Sequence, residues 1–195
     1  MTQIKLGDYN TLKMVKIAER SDSHAFEGKE VFGIYLDGGK EGEILMPQKY
    51  VPEGIKTGDE IRCFVYLDQD ERPVATTETP LVKTGEFGYL ECTWVNEYGA
   101  FLNWGLMKDV FCPFREQKRK MEIGERYIVY LYIDEESYRI VASAKVERFL
   151  QDLTTDNSES DGNENRNKLQ VGMKLPILIW QKSPLGFKVI IDNRY

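Results

Sequence analysis

The chain repeats itself. Phe32-Gly33-Ile34-Tyr35-Leu36-Asp37 returns as Tyr98-Gly99-Ala100-Phe101-Leu102-Asn103, an offset of 66 positions, and the same offset carries Gly39 to Gly105, Pro47 to Pro113, Gly58 to Gly124 and Asp68 to Asp134. Chance does not keep so many landmarks in step, so the chain must fold as small tandem units rather than one large domain. The repeated step is specific: a glycine that lets the backbone bend or bulge, with one ring before it and another two positions after. On a strand such a bulge turns both rings to one face, the layout on which unpaired bases stack. The plainer reading, in which the rings fill a core, stands beside it.

Each repeat reads as five short strands. In repeat 1 these are Tyr9 to Ile17, Val31 to Asp37, Glu43 to Met46, Glu60 to Leu67 and Pro73 to Thr77, with Ala18 to Glu30 as a long hairpin loop and a glycine turn at Gly38-Gly39. In repeat 2 they are Tyr89 to Val95, Ala100 to Trp104, Val110 to Pro113, Arg126 to Ile133 and Tyr138 to Ala144. Gly7 precedes Gly33 by 26 positions whereas Gly85 precedes Gly99 by 14, so repeat 1 carries 12 more residues in its first loop. Val146, Phe149, Leu150 and Leu153 stand at helical spacing and predict a short helix over Lys145 to Leu153. The expected organisation is a first unit over residues 1–79 and a second, with that helix, over 80–153. A polar linker over 154–168 and the first half of a third unit over 169–195 follow. The third unit has strands at Lys174 to Trp180 and Phe187 to Asp192, then ends at Tyr195 before any counterpart of strands three to five. Half a barrel leaves open edges, so the expectation is a piece of a longer protein.

Composition excludes several classes. There is no run of about 18 apolar residues and the N-terminus has no signal-peptide pattern, so the reading is a cytoplasmic chain without membrane spans. Three cysteines, Cys63, Cys92 and Cys112, form no C-x-x-C pair, and the single histidine, His24, lies in a polar loop-like stretch without partners. Neither a metal site, a cofactor motif nor a catalytic dyad is legible, and the expectation is a binding protein rather than an enzyme, with no small-molecule substrate. The net charge of −6 argues against coating of duplexes by bulk electrostatics, but not against a reader of single strands built from rings and a few local cations.

Strand order and connections resemble the OB-fold, an all-β five-stranded closed barrel that binds oligonucleotides across strands two and three. The repeat is similar to the S1 RNA-binding domain, in which a ring-Gly-x-ring step is followed by a Gly-led fourth strand that ends in Asp with Arg shortly after. Tyr98-Gly99-Ala100-Phe101, Gly124 and Asp134 to Arg139 satisfy that pattern; Phe32-Gly33-Ile34-Tyr35, Gly58 and Asp68 to Arg72 do so with Asp and Arg one residue closer. At a finer level, Phe32 to Gly39, Gly42 to Pro47, Tyr66-Leu67-Asp68 and Arg72 to Thr77 resemble the conserved virulence factor B, or YitL-like, family of bacteria. That resemblance implies tandem S1-type barrels, a third of them incomplete here, a winged-helix domain beyond them, and an RNA-binding role in regulating gene expression.

The resemblance implies a single-stranded RNA surface of Phe32, Tyr35, Asp68 and Arg72 in repeat 1 and Tyr98, Phe101, Asp134 and Arg139 in repeat 2. In each pair the Asp is expected to hold the Arg guanidinium or to accept from a base edge, and the plainer reading is that the two only tie the turn between strands four and five. Arg115, Lys118, Arg119, Lys120 and Arg126 form a basic stretch placed to meet phosphates. The strand-three histidine of S1 domains aligns with Met46 and Cys112, a lost stacking group. In repeat 3, Leu185 and Lys188 stand where the two rings should, which predicts weak binding there. Trp94, Trp104 and Trp180 read as core or barrel-rim residues. The competing reading is a protein-interaction module that uses the same rings as hot spots; oligomeric state stays open.

Overall fold

The computed structural model describes residues 3–20, 30–150 and 172–195. Ten strands form two closed barrels of identical connectivity. The first holds β1 (Asp8–Arg20), β2 (Glu30–Asp37), β3 (Glu43–Pro47), β4 (Glu60–Leu67) and β5 (Pro73–Thr76). The second holds β6 (Phe87–Val95), β7 (Gly99–Asn103), β8 (Val110–Pro113), β9 (Arg126–Ile133) and β10 (Ile140–Ser143). In each, strand one pairs with strands two and four, and the fifth strand closes the barrel by pairing parallel to the third and antiparallel to the fourth. This is the all-β tandem OB-type architecture the pattern of strands predicts.

The loops between strands three and four carry single 3-10 turns, Gln48–Tyr50 and Phe114–Glu116, and no α-helix occurs among the described residues. The second of these turns is fixed from inside. Gln117 donates to the Cys112 carbonyl at 2.9 Å and accepts from the Met121 amide at 3.0 Å, while Ser143 Oγ donates to the buried Glu116 carboxylate at 2.6 Å. Buried polar groups satisfied in this way define a loop more sharply than apolar contact would.

Barrel 1 encloses Leu12, Met14, Ile34, Leu36, Ile44, Met46, Ile61, Cys63 and Val65. Barrel 2 encloses Leu90, Cys92, Leu102, Cys112, Val129 and Leu131, and its apolar cluster continues outward onto Phe64, Tyr66 and Val74 of barrel 1. From Cys63 to Tyr66 β4 is therefore buried on both faces: Ile61, Cys63 and Val65 point into their own barrel and Phe64 and Tyr66 toward the neighbour, while Glu60 and Arg62 stay exposed. The connection between the barrels is strapped down as well. Thr84 donates its amide to the Gly7 carbonyl at 2.9 Å, Lys83 meets Asp8 at 3.0 Å, and the Leu81 amide donates to the Trp104 carbonyl at 2.8 Å. The two barrels thus belong to one compact unit ending at Ala144.

The glycines of the repeated step act differently from expectation. Neither Gly33 nor Gly99 has a positive φ; a Cβ on Gly33 would stand 2.3 Å from the Met46 carbonyl oxygen, and one on Gly99 2.4 Å from that of Cys112. Their role is to let strands two and three approach closely. The bulges lie nearby. Val15 on β1 and Thr93 on β6 are the extra residues between the pairs Met14/Leu36 and Lys16/Tyr35, and between Cys92/Leu102 and Trp94/Phe101; β2 bulges again at Phe32.

A second unit begins at Lys145. The helix expected over Lys145 to Leu153 is, in its described part, only a 3-10 turn at Val146–Arg148; residues 151–153 and the linker at 154–168 lie outside the described residues. Further on, β11 (Ile177–Ser183) and β12 (Gly186–Ile191) form an antiparallel hairpin. Leu185 at its tip is wholly exposed and Lys188 lies over the Trp180 ring.

Candidate nucleic-acid interface

The bulge at Thr93 decides where the rings of barrel 2 go. By inserting one residue it turns Trp94 to the face that carries its partner Phe101, and Phe101 in turn pairs with Phe111 across β7 and β8. The ring centroids of Phe101 and Phe111 are 5.1 Å apart. Three aromatic side chains thus stand in a row across three strands. Tyr98 adds a fourth at the end of the β6–β7 turn, where Asn96 Oδ1 accepts from the amides of Tyr98 and Gly99. Trp94 and Tyr98 are 58% and 67% exposed, which makes them wall rather than core. With Met107, Val110, Ile140 and Val141 they line a cleft of about 680 Å³.

Trp94, like Phe111, Lys108 and Glu71, is a cleft residue that sequence reasoning missed. The repeat offset of 66 fails in strand one because of the longer loop in repeat 1; adding the 12 extra residues matches Trp94 to Lys16. A corrected offset would have shown that repeat 2 has a tryptophan where repeat 1 has a lysine. The structure bears out that match, since Lys16 pairs with Tyr35 as Trp94 pairs with Phe101.

Cys112 and Met46 need correcting. Both are fully buried and point inward, and the residues opposite Phe101 and Tyr35 are Phe111 and Leu45. One position along a strand is the other face of the sheet. Repeat 2 has therefore lost no stacking group on strand three; it carries a phenylalanine there. Burial pushes the Cys112 thiol up to about 12, far from a nucleophile's range.

Barrel 1 offers a poorer face. Phe32 and Tyr35 are half-buried, Lys16 Nζ sits 5.1 Å over the Tyr35 ring, and the same ammonium pairs with Glu43 at 2.8 Å. Asp68 holds Arg72 as expected, accepting from its Nε at 3.0 Å and its terminal nitrogen at 2.8 Å. Burial works to raise the pKa of Asp68, yet the hydrogen bonds from the amide and guanidinium of Arg72 outweigh it and hold the carboxyl below the usual range.

The corresponding pair in barrel 2 does not form. Asp134 accepts from the hydroxyl and amide of Ser137 and meets Arg115 at 3.1 Å, interactions that lower its pKa, the Ser137 hydroxyl foremost. Arg139 turns instead to Glu71 of barrel 1, with Nε 2.6 Å from Oε2. The turn in repeat 2 is one residue longer, which moves the arginine off its aspartate and toward the cleft.

The basic stretch stands outside the cleft. Arg115 is tied to Asp134 and Arg126 to Glu91, Arg119 lies over the Tyr127 ring and Lys120 over Phe114, and Lys118 is exposed. Phe114, immediately before this stretch, donates its amide to the Tyr98 carbonyl at 3.1 Å, so the stretch begins at the Tyr98 end of the cleft. Among the described residues no cluster of histidine, cysteine, aspartate and glutamate is arranged to hold a metal ion, and no helix is long and apolar enough to cross a membrane.

Residues 27–78 match the S1 domain family. Over 133 residues the chain is 30% identical to a Bacillus subtilis (strain 168) protein named uncharacterized protein YitL, covering 66% of this chain and 44% of that one. A solved structure described as a multidomain protein with nucleic acid binding domains, from Streptococcus pneumoniae TIGR4, superposes with a TM-score of 0.55 at 14% identity. The match covers 97% of this chain and 60% of that one, so the chain spans less than two thirds of either relative. Two closed five-stranded barrels, the S1 match in repeat 1 and the likeness to YitL make this chain similar to the YitL-like S1-domain proteins.

Proposed function

We propose that the protein binds single-stranded RNA and that barrel 2 is its principal reading surface. The observation that carries this is the row of Trp94, Phe101 and Phe111 with Tyr98 beside it, bordered by the cations Arg139 and Lys108. Flat aromatic faces stack on any base at roughly 1–3 kcal/mol each, without demanding a sequence. Arg115, Lys118 and Arg119 meet phosphates of a strand leaving past Tyr98. Phe32, Tyr35, Asp68 and Arg72 give barrel 1 a weaker, second contact, and the β11–β12 hairpin is the start of a third S1-type barrel. The S1 match, which falls in barrel 1, and the likeness to YitL support RNA binding, and from the family resemblance we infer a cytoplasmic role in regulating bacterial gene expression.

The test is a fluorescence titration with a short uridine-rich RNA, its DNA counterpart and a duplex. RNA is expected to bind with a salt slope of roughly −0.7 per phosphate contacted, the duplex much more weakly, and the Tyr98→Ala/Phe101→Ala double variant to lose binding while keeping its fold. Binding that favours the duplex, or is indifferent to those rings, rejects the reading.

A further inference from the structure

The cleft on barrel 2 has a wall that barrel 2 does not make. Leu67, Gln69 and Glu71 of barrel 1 stand across from the rings. The two cations that line the cleft both meet Glu71: Arg139 Nε lies 2.6 Å from one carboxylate oxygen and Lys108 Nζ 3.5 Å from the other. Lys108 is further held by the Asp68 carbonyl at 2.6 Å. Nothing in the repeat calls for this. The residue before the turn arginine is Glu71 in repeat 1 and the uncharged Tyr138 in repeat 2, both at positive φ. That backbone region is costly for a long side chain and normally goes to Gly, Asn or Asp. Glu71 sits there within a turn closed by Asp68, whose carboxylate accepts from the amides of Asp70 and Arg72.

We propose that Glu71 is the resident counter-ion of the cleft, and that an RNA phosphate enters between Arg139 and Lys108 by replacing its carboxylate. The inference rests on the RNA reading above and adds how the ligand is selected. Exchange of one anion for another gains little by itself, so a bare phosphate or the backbone of a duplex has no advantage over the carboxylate already present. An unpaired strand does, because its bases reach Trp94, Tyr98, Phe101 and Phe111 as its phosphate takes the place of Glu71. The ligand class is thus an oligonucleotide with an internal phosphate between accessible bases. Barrel 1 takes part as a gatepost to its neighbour's site.

The experiment compares wild type, Glu71→Gln and Asp70→Asn in RNA titrations over a range of salt. Asp70→Asn removes the same charge from the same turn, at a residue that does not line the cleft and whose partner is Arg72. Removing surface ion pairs of this kind is expected to tighten RNA binding by Glu71→Gln roughly three- to tenfold. Its salt slope should steepen by up to roughly 0.7, since no freed carboxylate then takes up a counterion. Asp70→Asn, which frees Arg72 at the weaker barrel 1 contact and not in the cleft, should gain clearly less than Glu71→Gln in both. Arg139→Ala added to Glu71→Gln should erase the gain. Equal or weaker binding by Glu71→Gln, or an equal gain in Asp70→Asn, overturns the exchange while leaving the RNA reading intact; no RNA binding by wild type overturns both. If Glu71→Gln loses its cooperative melt, Glu71→Asp is read instead, where a carboxylate drawn back by one methylene should change affinity in the same direction.

Discussion

The Trp104 ring meets Phe64 edge-on, with centroids 5.7 Å apart and planes at 74°, and the two residues belong to different barrels. Trp104 is 2% exposed, donates Nε1 to the Lys108 carbonyl at 2.7 Å, and also touches Tyr66. This contact turns two tandem barrels into one unit and fixes Lys108 at the rim of the cleft. Truncating a buried aromatic costs about 3–5 kcal/mol. Trp104→Ala is therefore expected to lower the melting temperature and to split a single calorimetric transition into two, one per barrel. A single transition at the original temperature would refute the coupling.

Gly99→Ala places a methyl against the Cys112 carbonyl oxygen and within 2.8 Å of the Phe111 ring. The strands must part, at a cost of about 1–3 kcal/mol, and Phe111 must leave its place opposite Phe101. Urea unfolding should show the lost stability and titration a weaker RNA affinity. Gly42→Ala, where a methyl meets nothing but φ is positive, should show only the first.

Trp94→Ala should weaken RNA binding as much as Phe101→Ala does, by about 1–3 kcal/mol, whereas Tyr35→Ala in barrel 1 should weaken it less. The reason is the lysine over Tyr35: Lys16 covers the ring that a base would need. Quenching of Trp94 fluorescence on addition of RNA, absent in the Trp94→Ala protein, is a second readout of the same contact.

Asp68 and Asp134 both have pKa values depressed in the folded chain. Their contribution to stability is fully present above the unfolded-state value of about 3.9 and is lost as pH falls through the lower folded values. Urea midpoints are expected to hold from pH 7 to about 5 and to decline steeply below 4. Asp134→Asn should have a flatter acid limb than wild type.

Burial drives the Cys63 and Cys112 thiols up to about 12 and raises that of Cys92 as well. The native chain should resist alkylation at pH 8 and label at all three cysteines in denaturant. Rapid labelling of native Cys112 would contradict its inward placement.

The repeat in the sequence was enough for two five-stranded barrels, because an offset kept by glycines, prolines and a turn aspartate fixes strand order and loop lengths together. The face of each ring was harder to read. Tyr98 and Phe101 emerged where expected, but for another reason: their glycine clears space between strands, and the bulge at Thr93 does the turning. The inward placement of Cys112 depends on register, which shifts a residue to the opposite face for a slip of one, and motif matching does not resolve a slip of one. The Arg139–Glu71 pair was illegible, since it joins two repeats that the sequence presents as equivalent. One clue was present. The unbroken apolar run Cys63-Phe64-Val65-Tyr66-Leu67 has no polar face, as expected of a strand covered on both sides.

Because β4 is covered on both sides from Cys63 to Tyr66, barrel 1 leaves the ribosome with part of its surface still uncovered. Its outward Phe64 and Tyr66 are made 40 and 38 residues before Trp104, the ring that shields them, which at about 5–20 residues per second leaves them bare for several seconds of synthesis. In that interval two uncovered rings stand open to non-specific contact, and translation speed through the second repeat sets its length.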